Sequence, residues 1–591
     1  MTSSPHVLGR ALRGGSYLFL QKILTFAINS FILRRLHLSV TGAVTVHFEL
    51  ALATVFLFRD SFRLAFLRMP SLLEPTGATA TPVTTTMSSA RPVRDVAWMT
   101  RQQQLVNGAW LSTLLSWALA TSITAIVAMH GEKASDSEHQ VHEWYTRVLV
   151  MYCAAAMIEA LAEPMYLLAH SSVLVGWQVT AQGAGFIVRA GVQYVGMFLL
   201  GLDGLLCYGL AEIAYASTLV AVFTWFFAGK LQSNREANAV AVHHMTELLP
   251  GRVGKDDGNA VEPELMKLLG PLGVQSLVKY LLTEGDKWVL SLFTTLEQMG
   301  VYGIVFHLGS LVPRIVFFPL EEATKTVVSK LSATNRDDVM QARRYVLVLL
   351  KLMHLVGFVF VAFGVNYAYT LVLLLYGGEK AAGGVGSALA AYCVYIPFLG
   401  LNGISEAFVH SVGNQQQLMR LNKLMGVFFV AYAGSAMLFM RGFALGTVGI
   451  ILANCVNMGC RIMYCMSFAA SYFAHWDNAV DSKVQGQASS PQSQSTRAKL
   501  VRFWRAALPD RLVLLAFGLS GVIGAISRKF VATNDSLLRH GAHICVGGIC
   551  FAVVLAALYV KERVLLREEL RQLRGGGEKI VTSRAKAEKE D

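Results

Sequence analysis

Gly300-Val-Tyr-Gly-Ile-Val-Phe-His-Leu-Gly-Ser-Leu-Val-Pro-Arg-Ile-Val-Phe-Phe-Pro-Leu320 decides the fold class. A helix needs about 20 apolar residues to cross the hydrocarbon core of a bilayer, and this stretch supplies them. Its one formal charge is Arg314, and an ionised side chain at mid-bilayer costs at least about 2.5–3.5 kcal/mol unless water, an anion or a counter-charge meets it. Comparable apolar runs recur near 15–33, 41–58, 105–129, 144–169, 172–200, 203–228, 265–293, 298–327, 344–364, 384–411, 416–440, 443–470, 511–532 and 541–560. The sequence therefore predicts an all-α polytopic membrane protein of about fourteen transmembrane helices, built as two six-helix lobes plus a C-terminal helix pair.

Composition agrees. Of 591 residues, 54% are apolar and 15% carry a formal charge, against roughly 25% charged in an ordinary soluble domain. With mean hydropathy at +0.48, a soluble multidomain enzyme, a disordered chain and a small secreted domain are all excluded. The net charge of +13 would point to nucleic acid in a soluble protein. Here the basic residues gather in loops on the N-terminal side, with Arg336, Arg343 and Arg344 in a short loop there, while the opposite turn at 201–203 has none. The positive-inside rule then puts the N-terminus, the linkers and the C-terminus in the cytoplasm, and no nucleic-acid partner is expected.

Polar stretches set the expected domains: a lobe at 1–230, a linker at 231–264, a second lobe at 265–473, a low-complexity linker at 474–510, a helix pair at 511–560 and a basic tail at 561–591. The Thr/Pro-rich segment 69–104 and the linker 231–264 read as flexible loops. Two helices are interrupted by polar groups, Gln178, Gln182 and Arg189 in one, Lys279, Glu284, Asp286 and Lys287 in the other. Residues 366–376 are too short to span and read as an interfacial or re-entrant piece. The first run contains Lys22 and continues past Leu33, as a transmembrane helix does and a cleaved signal peptide does not. Asn534-Asp535-Ser536 is either a glycosylation acceptor or a chance tripeptide. All eight cysteines lie in apolar runs, so neither a disulfide framework nor a metal site is expected; Cys455, Cys460 and Cys465, five apart, cannot share a helix face.

The embedded charges carry the chemistry. Arg59 and Arg63 are i,i+4 neighbours that either hold an anionic ligand or form a structural set with Asp60. Arg34 closes the first helix and either snorkels or faces a ligand. Arg314, bracketed by Pro313 and Pro319, lines a cavity or sits in a buried salt bridge, with Glu284 and Glu321 as candidate partners; the prolines should break the helix there. Asn454, Asn457 and Arg461 share a face that lipid would reject. Acidic groups include Glu159, Glu163, Glu212, Glu284, Glu321 and Glu406, with Glu284–Lys287 and Glu321–Lys325 as self-neutralising pairs. Prominent arginines suit a diphosphate through bidentate hydrogen bonds. The candidate substrate-binding set is Arg34, Arg59, Arg63, Glu284, Arg314, Glu406, Asn454 and Arg461, its five arginines converging on one cavity. No catalytic residue, metal or cofactor is expected, and no Gly-x-x-x-x-Gly-Lys-Ser/Thr phosphate loop is present.

Several stretches carry a resemblance: Asn29-Ser-Phe-Ile-Leu-Arg-Arg-Leu36, Phe56-Leu-Phe-Arg-Asp-Ser-Phe-Arg63, Glu159-Ala-Leu-Ala-Glu-Pro-Met165, Leu282-Thr-Glu-Gly-Asp-Lys-Trp288, His307 through Glu322, Tyr395 through Phe408 and Ile451 through Ile462. In combination they resemble the Rft family, the endoplasmic-reticulum branch of the multidrug/oligosaccharidyl-lipid/polysaccharide exporter superfamily, through about residue 560. The resemblance implies an endoplasmic-reticulum membrane protein that moves the Man5GlcNAc2-diphosphate-dolichol headgroup from cytosol to lumen for N-glycosylation. Its partners would be that dolichol-diphosphate oligosaccharide, the lipid bilayer and other N-glycosylation proteins. The segments 69–104, 231–264 and 485–494 depart from the family pattern.

Four functions compete at this level: a flippase working by alternating access between lobes, a protein that binds and presents the same lipid without moving it, a glycosyltransferase, and an ion-coupled exporter. A transferase would want carboxylates on an early lumenal loop. The loop at 34–42 has none. The orientation is directly testable: protease added to sealed microsomes should remove the tail beyond Tyr559, and protection of that tail would invert the whole topology.

Overall fold

The computed structural model describes residues 29–69, 96–130, 139–172, 174–236, 244–252, 259–331, 336–484, 496–532 and 537–561. Every regular element among them is helical. Eleven helices are long and apolar enough to cross a membrane by length and composition. The two polar-interrupted helices are not among those eleven, and of the first run only the helical turn pair at 29–35 is described. Asn534 and the tail beyond Lys561 lie outside the described residues. The chain divides into two compact units, Met1–Gly300 and Val301–Asp591.

The first unit contains α1 (Leu38–Val55), the short α2 (Arg59–Phe66), α3 (Val96–His130), α4 (His139–Ser171), α5 (Val175–Tyr194), α6 (Gly204–Glu236) and α7 (Pro263–Phe293). Helix α4 is the axis of this unit, packing against α3, α6, α1 and α2, and its apolar window is the most buried of the eleven at 61%. Helix α6 starts where the Asp203 carboxylate accepts the Leu205 N–H at 2.8 Å, satisfying a donor that the first helical turn leaves open.

The segment expected as a free linker at 231–264 is not free where it is described. Helix α6 runs on to Glu236, and a short turn, Met245–Leu248, is tied back to α3. The Trp110 indole donates to Leu248 O at 2.7 Å, Asn107 donates to Gly251 O and Ala260 O, and Gln104 donates to Asn259 O. These side chains supply the loop backbone with partners that water would otherwise provide. Likewise α3 begins at Val96, inside the stretch read as a loop.

The second unit contains α8 (Leu296–Ser329, whose first turn belongs to the first unit), α9 (Arg336–Tyr376), α10 (Gly378–Val412), α11 (Gln415–Gly442), α12 (Gly446–Val484), α13 (Thr496–Ala507), α14 (Arg511–Ala532) and α15 (Leu537–Lys561). Helix α10 is its axis, with a window 56% buried and contacts to α8, α9 and α12. A reciprocal capping box, Asn414 with Gln417, opens α11, both bonds at 2.9 Å.

Three expectations change here. Residues 366–376 are not a separate piece but the end of the continuous α9, which absorbs a π turn at Phe360–Gly364. The prolines of α8 do not break it: Pro319 falls at the start of a regular helical run and Pro313 opens a π turn, Pro313–Phe317, whose wider hydrogen-bond ring accommodates the missing N–H. Of the linker expected at 474–510, the low-complexity run 485–494 lies outside the described residues, and its flanks are helical, α12 continuing to Val484 and α13 packing Phe503 and Ala507 inward, with Trp504 edge-on to His354. The final pair, α14 and α15, docks on α9 through a polar seam. Tyr367 stacks on His543 at 4.0 Å, Asn366 donates to Gly521 O, and Thr370 meets His540 at 3.1 Å.

Glycine decides one close approach. A Cβ on Gly42 would lie 1.9 Å from Leu296 O, and one on Gly300 would lie 1.9 Å from Leu38 O, so the two backbones meet where no side chain fits. Gly42→Val or Gly300→Val should therefore abolish monodisperse folded protein on detergent size exclusion. Gly434→Val, at a position with open space around it, should leave the elution profile and melting temperature unchanged.

Candidate functional site

In the first unit, two i,i+4 pairs from different helices form a closed clamp. Arg59 and Arg63 lie one turn apart on α2, in which Ser61, Phe62, Ala65 and Phe66 are buried. Glu159 and Glu163 lie one turn apart on α4 and are nearly inaccessible. Arg63 grips Glu163 with two parallel bonds, Nε to Oε1 at 2.8 Å and Nη2 to Oε2 at 3.0 Å. Arg59 bridges both acids, with Nε on Glu163 Oε2 at 2.9 Å and Nη2 on Glu159 Oε1. Aromatic faces cover the outer sides, Phe56 at 3.9 Å from the Arg59 guanidinium carbon and Tyr166 at 3.8 Å from that of Arg63.

This arrangement corrects the local reading. Asp60 does not neutralise Arg63; it points to Lys279 on α7 at 2.5 Å. The helical backbone sets Asp60 about 100° round from Arg59, off the face that meets α4. Neighbouring pairs complete a charged belt. Lys287 sits between Glu284 at 3.0 Å, as the spacing predicted, and Glu49 of α1 at 3.1 Å. Arg189 of α5 meets the deeply buried Glu212 of α6 at 3.1 Å.

In the second unit, Glu406 organises a smaller cluster on α10 and α12. Its Oε2 accepts from Arg461 Nη2 at 2.6 Å and from Asn402 Nδ2 at 3.0 Å, while His410 Nε2 lies 3.6 Å from Oε1. Helix α8 reaches the cluster because residue 403 is glycine: a Cβ there would come within 2.5 Å of Glu321 Oε1. Lys325 does not pair with Glu321 as its spacing predicted but with Glu322, at 2.7 Å. Asn454 is buried on α12, one to two turns before Arg461.

Arg314 stands apart. Its backbone N–H continues the helix by donating to Ser310 O at 3.1 Å, but its side chain is exposed on the π turn and has no salt-bridge partner among the described residues. Neither candidate partner takes it: Glu284 is held by Lys287, and Glu321 packs over Gly403. Arg34 is exposed near the end of the 29–35 helix, next to Arg35, whose guanidinium carbon lies 5.8 Å from the Phe198 ring. The structure thus joins Arg59 with Arg63, and Glu406 with Arg461; Glu284 belongs to the Lys287 belt.

Sequence reasoning missed Asn402, although its i,i+4 relation to Glu406 is visible, and did not match Glu159 and Glu163 to their arginines. Nothing in one sequence tells which two helices meet.

Comparison with known proteins gives a consistent match. The sequence profile of the Rft protein family fits residues 16–572. The Man(5)GlcNAc(2)-PP-dolichol translocation proteins RFT1 of Xenopus tropicalis and Mus musculus are 28% and 29% identical, over 92% and 95% of this chain and 92% and 96% of theirs. That of Saccharomyces cerevisiae is 25% identical over 79% of this chain and 84% of its own. Among solved structures, an inward-facing MATE family transporter of the MOP superfamily superposes with a TM-score of 0.54 at 15% identity, covering 77% of this chain and 96% of that one. Lipid II flippase MurJ in an inward closed conformation gives 0.52 at 13%, covering 93% and 99%. At these identities the likeness establishes the fold.

The clamp makes a stability prediction. Removing one partner leaves an uncompensated buried charge, at a cost of about 3–5 kcal/mol, whereas removing both is much cheaper. Glu163→Leu should therefore lower the melting temperature more than the double change Glu163→Leu, Arg63→Met, which leaves Arg59 paired with Glu159. Equal or additive losses in a thermal-shift series would show that the four charges do not act as a unit.

Proposed function

The chain belongs to the Rft protein family, and from that premise we propose that it translocates Man5GlcNAc2-PP-dolichol across the endoplasmic-reticulum membrane, by alternating access, to supply protein N-glycosylation. In this reading it is a transporter and not an enzyme. The N- and C-termini face the cytosol, and the polyprenyl tail stays in lipid while the charged headgroup passes.

What supports the diphosphate part of this reading is one contrast among the embedded arginines. Arg59 and Arg63 are neutralised by Glu159 and Glu163, and Arg461 by Glu406. Arg314 meets no carboxylate among the described residues, yet sits in the middle of a 34-residue apolar helix. An exposed guanidinium at that position has an open planar fork, the geometry that fits two phosphate oxygens at once. The paired arginines already spend donors on carboxylates, Arg63 bidentately, Arg59 on two acids and Arg461 through Nη2, so they serve the reading as positioning groups.

A protein that binds and presents the lipid without moving it would need the same fork, and translocation itself separates the two. Purified protein in vesicles of defined lipid should transfer fluorescent or radiolabelled Man5GlcNAc2-PP-dolichol between leaflets. Arg314→Lys should lower that rate roughly tenfold, about 1.4 kcal/mol, because a point ammonium keeps the charge and loses the fork. Arg314→Ala should lower it further. Binding without transfer by the unaltered protein would favour the presenting role, and full transfer by the Lys variant would remove Arg314 from the site.

A further inference from the structure

We propose that the Glu406 cluster is a binding site for sugar hydroxyls, so that the second unit reads the glycan rather than the diphosphate. This deepens the function proposed above and rests on it for the identity of the glycan-bearing lipid.

The argument starts from unspent hydrogen-bonding capacity. A guanidinium has five N–H donors and an amide oxygen two lone pairs. Arg461 spends Nη2 on Glu406, and Asn402 spends Nδ2 on the same Glu406 oxygen. Arg461 Nε and Asn402 Oδ1, both buried, have no hydrogen-bond partner among the described residues. Buried polar atoms in folded proteins are nearly always paired, because an open one loses its water without gaining a partner. The two open atoms have opposite sense, one donor and one acceptor. Each belongs to a side chain anchored on the same Glu406 Oε2. A hydroxyl group accepts from the first and donates to the second. A phosphate oxygen, which only accepts, would satisfy Arg461 and leave Asn402 Oδ1 facing a like dipole.

Charge points the same way. Arg461 and Glu406 cancel, and the Glu321 carboxylate lies over Gly403 on the neighbouring helix, so the cluster has no net positive charge to offer a diphosphate. A neutral polyol meets no such repulsion. Access is also built in. Asn402, Glu406 and His410 form an i, i+4, i+8 row on α10 whose exposure rises along the helix, from 8% at Asn402 to side-chain values of 15% at Glu406 and 38% at His410. The row runs inward from the exposed His410 imidazole to Asn402.

The test uses the full-length protein in nanodiscs with two probes, free Man5GlcNAc2 glycan and dolichyl diphosphate lacking any sugar. Saturation-transfer NMR should detect the glycan on unaltered protein. Asn402→Ala should reduce that signal at least fivefold while leaving dolichyl diphosphate affinity within twofold. Asn402→Ser, which restores an acceptor in a smaller side chain, should recover part of the signal and guards against a folding defect. Arg314→Ala should do the reverse, weakening dolichyl diphosphate and sparing the glycan. Unaltered protein that binds glycan but not dolichyl diphosphate would sink the arginine fork and leave this site standing. The proposal is overturned if glycan never binds, if Asn402→Ala leaves its signal intact, in which case water fills the two valences, or if Asn402→Ala weakens both probes in parallel.

Discussion

The grip of Arg59 and Arg63 on Glu163 is the constraint around which the first unit is built. Two carboxylates on the most buried helix of that unit could not remain charged without it, since an isolated ion in a low-dielectric interior costs several kcal/mol. Two arginines on a short neighbouring helix supply the charge, and their fork geometry fixes where α2 lies against α4. Aromatic faces then cover part of the outer side. In lipid, where helices gain little from apolar contact with one another, such polar contacts and close backbone approach carry much of the packing.

The second unit repeats the principle with a different outcome. Its central helix α10 again bears the carboxylate, Glu406, and a neighbouring helix again bears the arginine. Here one acid meets one arginine, and an amide and an imidazole fill the remaining sides. The first cluster is saturated, with bidentate bonds on both oxygens of Glu163. The second is left with one open donor and one open acceptor. Saturation makes a structural clamp; open valences make a place where a ligand can exchange hydrogen bonds.

Between these neutral clusters in the sequence lies Arg314, on a π turn that begins at a proline. The extra residue in a π turn changes which way the following side chains point and leaves a carbonyl less tightly held. Such turns recur along the described spans, at Ala43–Phe48, Val195–Leu199, Phe360–Gly364, Ala381–Val385 and Leu438–Gly442. Pro313–Phe317 places Arg314, exposed and with no salt-bridge partner among the described residues, near the middle of α8.

Apolar run length and charge placement were enough to determine the class of fold, because a bilayer requires about twenty apolar residues per helix and penalises every charge inside one. The same physics marked Arg59, Arg63, Arg314, Glu406 and Arg461 as unusual, and Glu284 with Lys287 was legible because both lie on one helix within a turn. Partner choice across helices was not legible. Local spacing offered Asp60 to Arg63, and Asp60 went instead to Lys279 on another helix, while Lys325 took its i,i+3 neighbour Glu322 over its i,i+4 neighbour Glu321. The i,i+3 and i,i+4 rules rank only neighbours on one helix, at a few tenths of a kcal/mol, whereas burial against a second helix commits several. Only the tertiary structure could decide that Glu163 outranks Asp60, that α9 runs unbroken through 366–376, and that Asn402 and Arg461 converge on one carboxylate with a hydrogen bond each to spare.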